Sequence, residues 1–170
     1  QFGRLFQCWT YGGFVIIFFH EAIITQKFFE VTVPDALWFI LVSGVKMKVM
    51  KLVVGLGNPG VEYENTRHNA GQIILDFILG KKIDWGESSK ANTLFYKSSI
   101  GDKEVEYLKP LTFMNNSGVS VLYAAQKHKV KGKDIVVIYD DIDLPIGKMK
   151  ISFDKSSGGH NGLESIIKKL

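Results

Sequence analysis

One cysteine, four prolines and no apolar run of membrane-spanning length set the outer limits of this 170-residue chain. Cys8 alone excludes an intramolecular disulfide framework and a CxxC metal knuckle, which suits a reducing compartment. The longest apolar stretches, YGGFVIIFF (11–19) and ALWFILVSGV (36–45), end at His20-Glu21 and at Lys46, short of the ~20 residues that a spanning helix needs. A signal peptide fits poorly, because Arg4 is the only basic residue before the first apolar run and no small-x-small cleavage site follows it. Absent too are a Gly-x-Ser-x-Gly elbow and a Gly-Lys-Ser/Thr phosphate loop, so a serine nucleophile on a strand-to-helix elbow and P-loop chemistry are excluded.

Charge is scarce at the start of the chain. Residues 1–46 hold six charged side chains but eight of the twelve phenylalanines, two of the three tryptophans and Cys8. This composition marks an aromatic-rich extension of open origin (translated upstream sequence, a fusion remnant or an accessory hairpin) foreign to the domain that follows over 47–170, with Met47 or Met50 as a natural start. A membrane-surface anchor is the competing reading of the extension. The whole chain carries 21 basic against 17 acidic residues, a net charge of +4 compatible with a polyanionic partner.

From Lys48 onward the pattern is regular. VMKLVVGL (49–56) and DIVVIYDD (134–141) read as strands buried on both faces, and KMKISF (148–153) as a third. TLFYKSSI (93–100) and KEVEYLKP (103–110) read as a hairpin turning at Gly101-Asp102. Apolar spacing predicts a helix over 70–80 that stops at Gly80, and a second over 119–129 capped by Asn116 or Ser117. The tail GGHNGLESIIKKL reads as a glycine loop entering a third helix. Strands and helices interleave, so the class is α/β with a covered, mixed sheet.

Gly55, Gly57 and Gly60 spell G-x-G-x-x-G after the first of these strands, the outline of a dinucleotide loop. Its context is wrong. Such a loop opens a helix whose amides meet the pyrophosphate, whereas Val61 to Asn69 is polar and aperiodic and Pro59 removes an amide from the cradle. The loop instead carries Asn58 and, further on, His68 beside Asn69. Three more polar segments lie at element ends: KPLTFMNNSG (109–118), YDDIDLP (139–145) and GGHNG (158–162). Converging, they would line one pocket with an imidazole, a carboxylate and several amides. A His oriented by a carboxylate can deprotonate water near neutral pH, and Asn side chains can donate to an oxyanion, so the set suits acyl transfer to water.

GLGNPG-x2-Y-x2-TRHNAG, KP-x-TFMN-x-SG, DDIDLP-x-G and GGHNGL-x-SI, in that order, resemble the bacterial type of peptidyl-tRNA hydrolase over residues 48–170. The resemblance implies a three-layer α/β/α sandwich around a mixed β-sheet, and a monomeric cytoplasmic enzyme that needs neither metal nor other cofactor. Its implied substrate is peptidyl-tRNA, whose peptide–ribose ester it hydrolyses; no stable membrane association is implied. Carried over, it makes His68 the general base, Asp140 its orienting carboxylate and Asn115 the group that positions water or the oxyanion. Asn58 and Asn161 would bind the peptide main chain and the 3′ end, with Tyr63 near the ester and His160 beside Asn161. It also implies a further Arg-rich strand and C-terminal helices beyond Leu170, so the fold is expected to be incomplete at that end and the activity of a chain ending there uncertain.

Other readings compete at single residues. His68 taken alone reads as a capping or packing residue, and His20 and His128 stay there, the latter on the solvated face of the Lys127, Lys129, Lys131, Lys133 run. Lysines on one face of a cleft would also attract phosphates. Asp141 and Asp143 could mimic a magnesium phosphotransferase D-x-D, but Leu144-Pro145 follows where a small hydroxyl residue belongs. His68, His160 and Asp140 have metal-ligand types without a local His-x-Asp spacing. The alternative function is a non-catalytic RNA-binding relative on the same scaffold, of the splicing-factor kind.

Overall fold

The computed structural model describes residues 15–19, 50–80, 82–101, 103–145 and 147–170. Expectations that fall on Cys8, His20, Asp102 and the run 36–45 lie outside them. The strands are β1 (Val15–Phe19), β2 (Lys51–Gly55), β3 (Gly86–Ser88), β4 (Thr93–Ile100), β5 (Lys103–Pro110), β6 (Ile135–Asp140) and β7 (Met149–Phe153). Among the described residues they form one seven-stranded sheet in the order β3-β4-β5-β2-β6-β1-β7. The sheet is mixed: β2 runs parallel to β5 and β6, whereas β4 is antiparallel to β3 and β5.

Helices α1 (Ala70–Leu79), α2 (Ser117–His128) and α3 (Asn161–Lys169) cover both faces. The pleat of β2 divides the core. Leu52 and Val54 pack with Val121, Ala124 and Ala125 of α2 and with Leu163 and Ile166 of α3. Val53 faces the other way, into a cluster with Leu75 of α1, Tyr107, Val136 and Ile138. This is the expected three-layer sandwich. It also explains why β2 and β6 read as continuous apolar runs: every residue of each is buried. No described helix is long and apolar enough to cross a membrane.

Several details depart from the sequence reading. Val15–Phe19 pairs parallel with β6 and antiparallel with β7, so this stretch of the extension supplies a strand of the same sheet. Helix α2 starts at Ser117 with no side-chain cap. A 3₁₀ turn over Met114–Asn116 leads into it, and Ser117 Oγ donates to the Met114 carbonyl instead. His128 is not on a solvated face. Helical rotation turns it inward, where Nε2 lies 2.6 Å from Oε2 of the buried Glu106, a carboxylate that needs a partner at that depth.

Candidate active site

Two glycines set the site by allowing close backbone approach. A Cβ on Gly71 would lie 2.2 Å from the Ile138 carbonyl oxygen and 2.4 Å from the Leu56 nitrogen; one on Gly55 would lie 2.4 Å from the Gly71 carbonyl oxygen. The first turn of α1 therefore rests directly on the ends of β2 and β6. Gln72 N–H donates to the Leu56 carbonyl, and Leu56 N–H to that of Ile138. His68, in the 3₁₀ turn Arg67–Asn69 just ahead of α1, is thereby held above Asp140, the last residue of β6.

Asp140 sits between two imidazoles. His68 Nδ1 lies 3.0 Å from both carboxylate oxygens, and His160 Nε2 lies 3.2 Å from Oδ1. The Asp140 side chain is 5% exposed and that of His68 49%, so the carboxylate is dry while the distal edge of the His68 ring faces outward. Burial pushes the Asp140 carboxyl up, but hydrogen bonds from His160 and then His68, with their charges, outweigh it and hold it below the usual carboxylate range. Being ionised, it can only accept, so His68 donates through Nδ1, and Nε2 is the nitrogen through which the ring can take up a proton.

The tautomer of His160 is set by its place in the chain. As the N-cap of α3 it accepts the Leu163 N–H on Nδ1 at 3.2 Å, which puts its proton on Nε2, toward Asp140. His68, Asp140 and His160 cluster closely enough to suggest a metal cage. Yet a ring whose Nδ1 is an acceptor and whose Nε2 carries hydrogen has no lone pair to offer on that side. The donor set shares protons and does not fit a metal.

A lattice of amides braces the glycine loop. Asn58 N–H donates to Asn69 Oδ1 at 2.8 Å and Asn69 Nδ2 returns a bond to the Asn58 carbonyl. Asn58 Oδ1 accepts the Met114 N–H at 2.8 Å, which settles the orientation of its amide and leaves Nδ2 as a donor without a protein partner among the described residues. Met114 also touches the place where Gly162 lacks a Cβ, so α3 closes onto the same wall. Asn115 and Asn161, next to Met114 and Gly162, are exposed, and no protein group among the described residues holds either amide. Tyr63 packs edge-on against Phe113, ring centroids 6.3 Å apart.

The fold thus brings His68, Asp140 and His160 into direct contact, and ties Asn58 to both the His68 turn and the Met114–Asn116 turn. Tyr63 packs against Phe113, and none of these contacts joins it to the histidines. After Gly60 the chain forms only 3₁₀ turns until Ala70, so the G-x-G-x-x-G resemblance to a dinucleotide loop fails in three dimensions as it did in sequence. Asn69 was missed as a site residue. Its signal was in plain view in TRHNAG, but a buried amide that locks a second amide 11 residues away leaves no local periodicity.

A protein-family model described as peptidyl-tRNA hydrolase matches residues 52–170. A peptidyl-tRNA hydrolase of Aquifex aeolicus is 49% identical over 121 residues, which cover 71% of this chain and 63% of the relative. One from Desulfitobacterium hafniense is 47% identical, covering 71% and 65%. The crystal structure of peptidyl-tRNA hydrolase from Acinetobacter baumannii superposes with a TM-score of 0.67 at 34% identity, over 74% of this chain and 64% of that one. The chain spans less than two thirds of the length of these relatives.

Proposed function

The chain belongs to the peptidyl-tRNA hydrolase family, and we propose that it hydrolyses the ester between a peptide and the 3′ ribose of tRNA. The observation that carries the reading is the His68–Asp140 pair: both carboxylate oxygens lie 3.0 Å from Nδ1 of a ring that is half exposed. His68 Nε2 takes a proton from water as the water oxygen attacks the ester carbonyl carbon. Asp140 keeps Nδ1 protonated and balances the imidazolium that forms. The tetrahedral oxyanion meets amide donors, Asn58 Nδ2 and Asn115, which stabilise it without becoming charged. Collapse breaks the bond to the ribose 3′ oxygen, and the proton on His68 passes to that oxygen. Asn161 holds the peptide main chain and the 3′ end, Tyr63 borders the ester, and His160 keeps Asp140 oriented.

The activity is assigned to residues 47–170, with Val15–Phe19 of the preceding extension serving as a sheet strand. The substrate arises where translation runs, so the reading takes the chain to work in the cytoplasm, as a monomer, since no residue of a second copy is needed to complete the cluster. Release of peptide from N-blocked aminoacyl-tRNA tests it. Turnover that survives His68→Ala undiminished would remove His68 as the base.

A further inference from the structure

We propose that the turn Lys127–Lys133, at the end of the sheet opposite the His68–Asp140 cluster, binds the phosphate backbone of a double-helical RNA arm. The inference rests on the reading that the substrate is a tRNA ester. Helix α2 begins beside Asn115 and β6 ends at Asp140, so the turn between them is the far end of an α–β unit whose near end carries the site. Twelve helical residues at ~1.5 Å each place it about 18 Å away. A single-stranded 3′ end in the site and a duplex alongside the unit would reach both.

Lys127, Lys129, Lys131 and Lys133 are all exposed, while Val130 and Asp134 between and after them are buried. The buried acids nearby face inward: Asp134 is paired with Lys51, and Glu106 lies against His128 Nε2. The four ammonium groups have no carboxylate partner among the described residues, and only Lys127 has another contact, over the Phe95 ring at 5.9 Å. The end of a helix favours cations, but that attraction fades within the last turn. It accounts for Lys127 and Lys129, not for Lys131 and Lys133.

The neighbours of the lysines decide the partner. A membrane-surface segment would present apolar side chains beside the charges, yet the exposed large apolar residues among those described, Val61, Phe77, Phe113, Val119, Ile142 and Leu170, all lie elsewhere. Among the described residues no fully exposed aromatic ring lies here to stack single-stranded bases, and the half-buried Phe95 ring is covered by Lys127. Compact point charges without a planar fork suit a row of phosphates read without sequence preference.

The test replaces all four lysines by glutamine (K127Q/K129Q/K131Q/K133Q) in the 170-residue chain and follows binding of fluorescent tRNA by anisotropy at rising KCl. The expected result is binding at least about tenfold weaker at low salt, and a slope of log affinity against log salt that shrinks by about 3, at ~0.7–0.9 per contact. With N-blocked aminoacyl-tRNA, KM rises and kcat stays; the same ester on a CCA trinucleotide, which has no duplex arm, is turned over as by the parent. An unchanged salt slope overturns the proposal, as does an equal loss on the trinucleotide ester, or lost binding to anionic vesicles with tRNA binding intact. If the parent hydrolyses neither ester, the hydrolase reading fails while the anisotropy still decides the lysine turn.

Discussion

Leu163 donates its backbone N–H to His160 Nδ1 at 3.2 Å, and this one bond at the start of α3 decides which way the proton of His160 points. The ring is left with a single donor, Nε2–H, 3.2 Å from Asp140 Oδ1. A helix cap and an active-site carboxylate are thereby joined through one imidazole.

Substituting His160 separates the two duties. His160→Ala is expected to cost about 1 kcal/mol of stability through the lost cap, together with a fall in kcat larger than any rise in KM. His160→Asn restores a good cap and so most of the stability, but the shorter side chain does not reach Asp140, and kcat stays low. Chemical denaturation and steady-state kinetics on both variants make the separation; equal recovery of stability and kcat in the Asn variant would contradict it.

His68 is half exposed, and its ring contacts among the described residues are Asp140 and the His160 ring edge, 5.7 Å away between centroids. His68→Ala should therefore lower kcat by roughly 100 to 10,000-fold, the range of a general base, with a smaller loss of stability, about 1 kcal/mol, because Asp140 keeps only His160 as a donor.

Asn58 offers a near-isosteric probe. Asn58→Asp keeps the oxygen that accepts the Met114 N–H, so folding should change little, while it puts negative charge in place of the Nδ2 donor that the proposed mechanism aims at the oxyanion. Loss of one such donor costs about 100 to 1,000-fold in rate. Single-turnover release of peptide measures it, and Asn58→Ala, which also strands the Met114 amide, should be less stable than Asn58→Asp.

The Asp140 carboxyl fixes a pH dependence of stability. Burial raises its pKa, but the His160 and His68 hydrogen bonds outweigh that, so the folded value lies below the unfolded one. The stabilisation is complete above the unfolded value, about 4, and is lost as pH falls from there through the folded value. Asp140→Asn should be less stable than the parent at pH 7, by about 1–3 kcal/mol for a mismatched buried amide. The gap should close as acid titrates the parent. Urea midpoints at pH 7, 4 and 3 read it, and a gap independent of pH would refute the assignment.

Gly71 tests the close approach itself. A Cβ there would meet the Ile138 carbonyl oxygen at 2.2 Å, backbone against backbone with no side chain to move aside. Gly71→Ala should cost about 1–3 kcal/mol and lift the His68 turn off Asp140, so activity should fall further than stability alone explains. Thermal unfolding and activity well below the melting temperature compare the two losses.

Much of this protein was legible in its residues. The apolar runs of β2 and β6, the spacing of Val121, Ala124 and Ala125, and the stop at Gly80 follow from near-neighbour rules of burial, helical rotation and permitted φ. So does the rejection of the glycine loop as a nucleotide cradle, because Pro59 and the polar stretch after Gly60 are local facts. Tertiary structure decided the rest. That Asp140 faces both His68 and His160, that Asn69 locks Asn58, that His128 turns inward to Glu106, and that Val15–Phe19 lies between β6 and β7 all join residues far apart in sequence. Such pairings depend on how closely backbones can approach, at Gly55, Gly71 and Gly162, and on which buried polar groups must find each other once water has left. A chain read one stretch at a time shows the groups, and packing alone determines which of them meet.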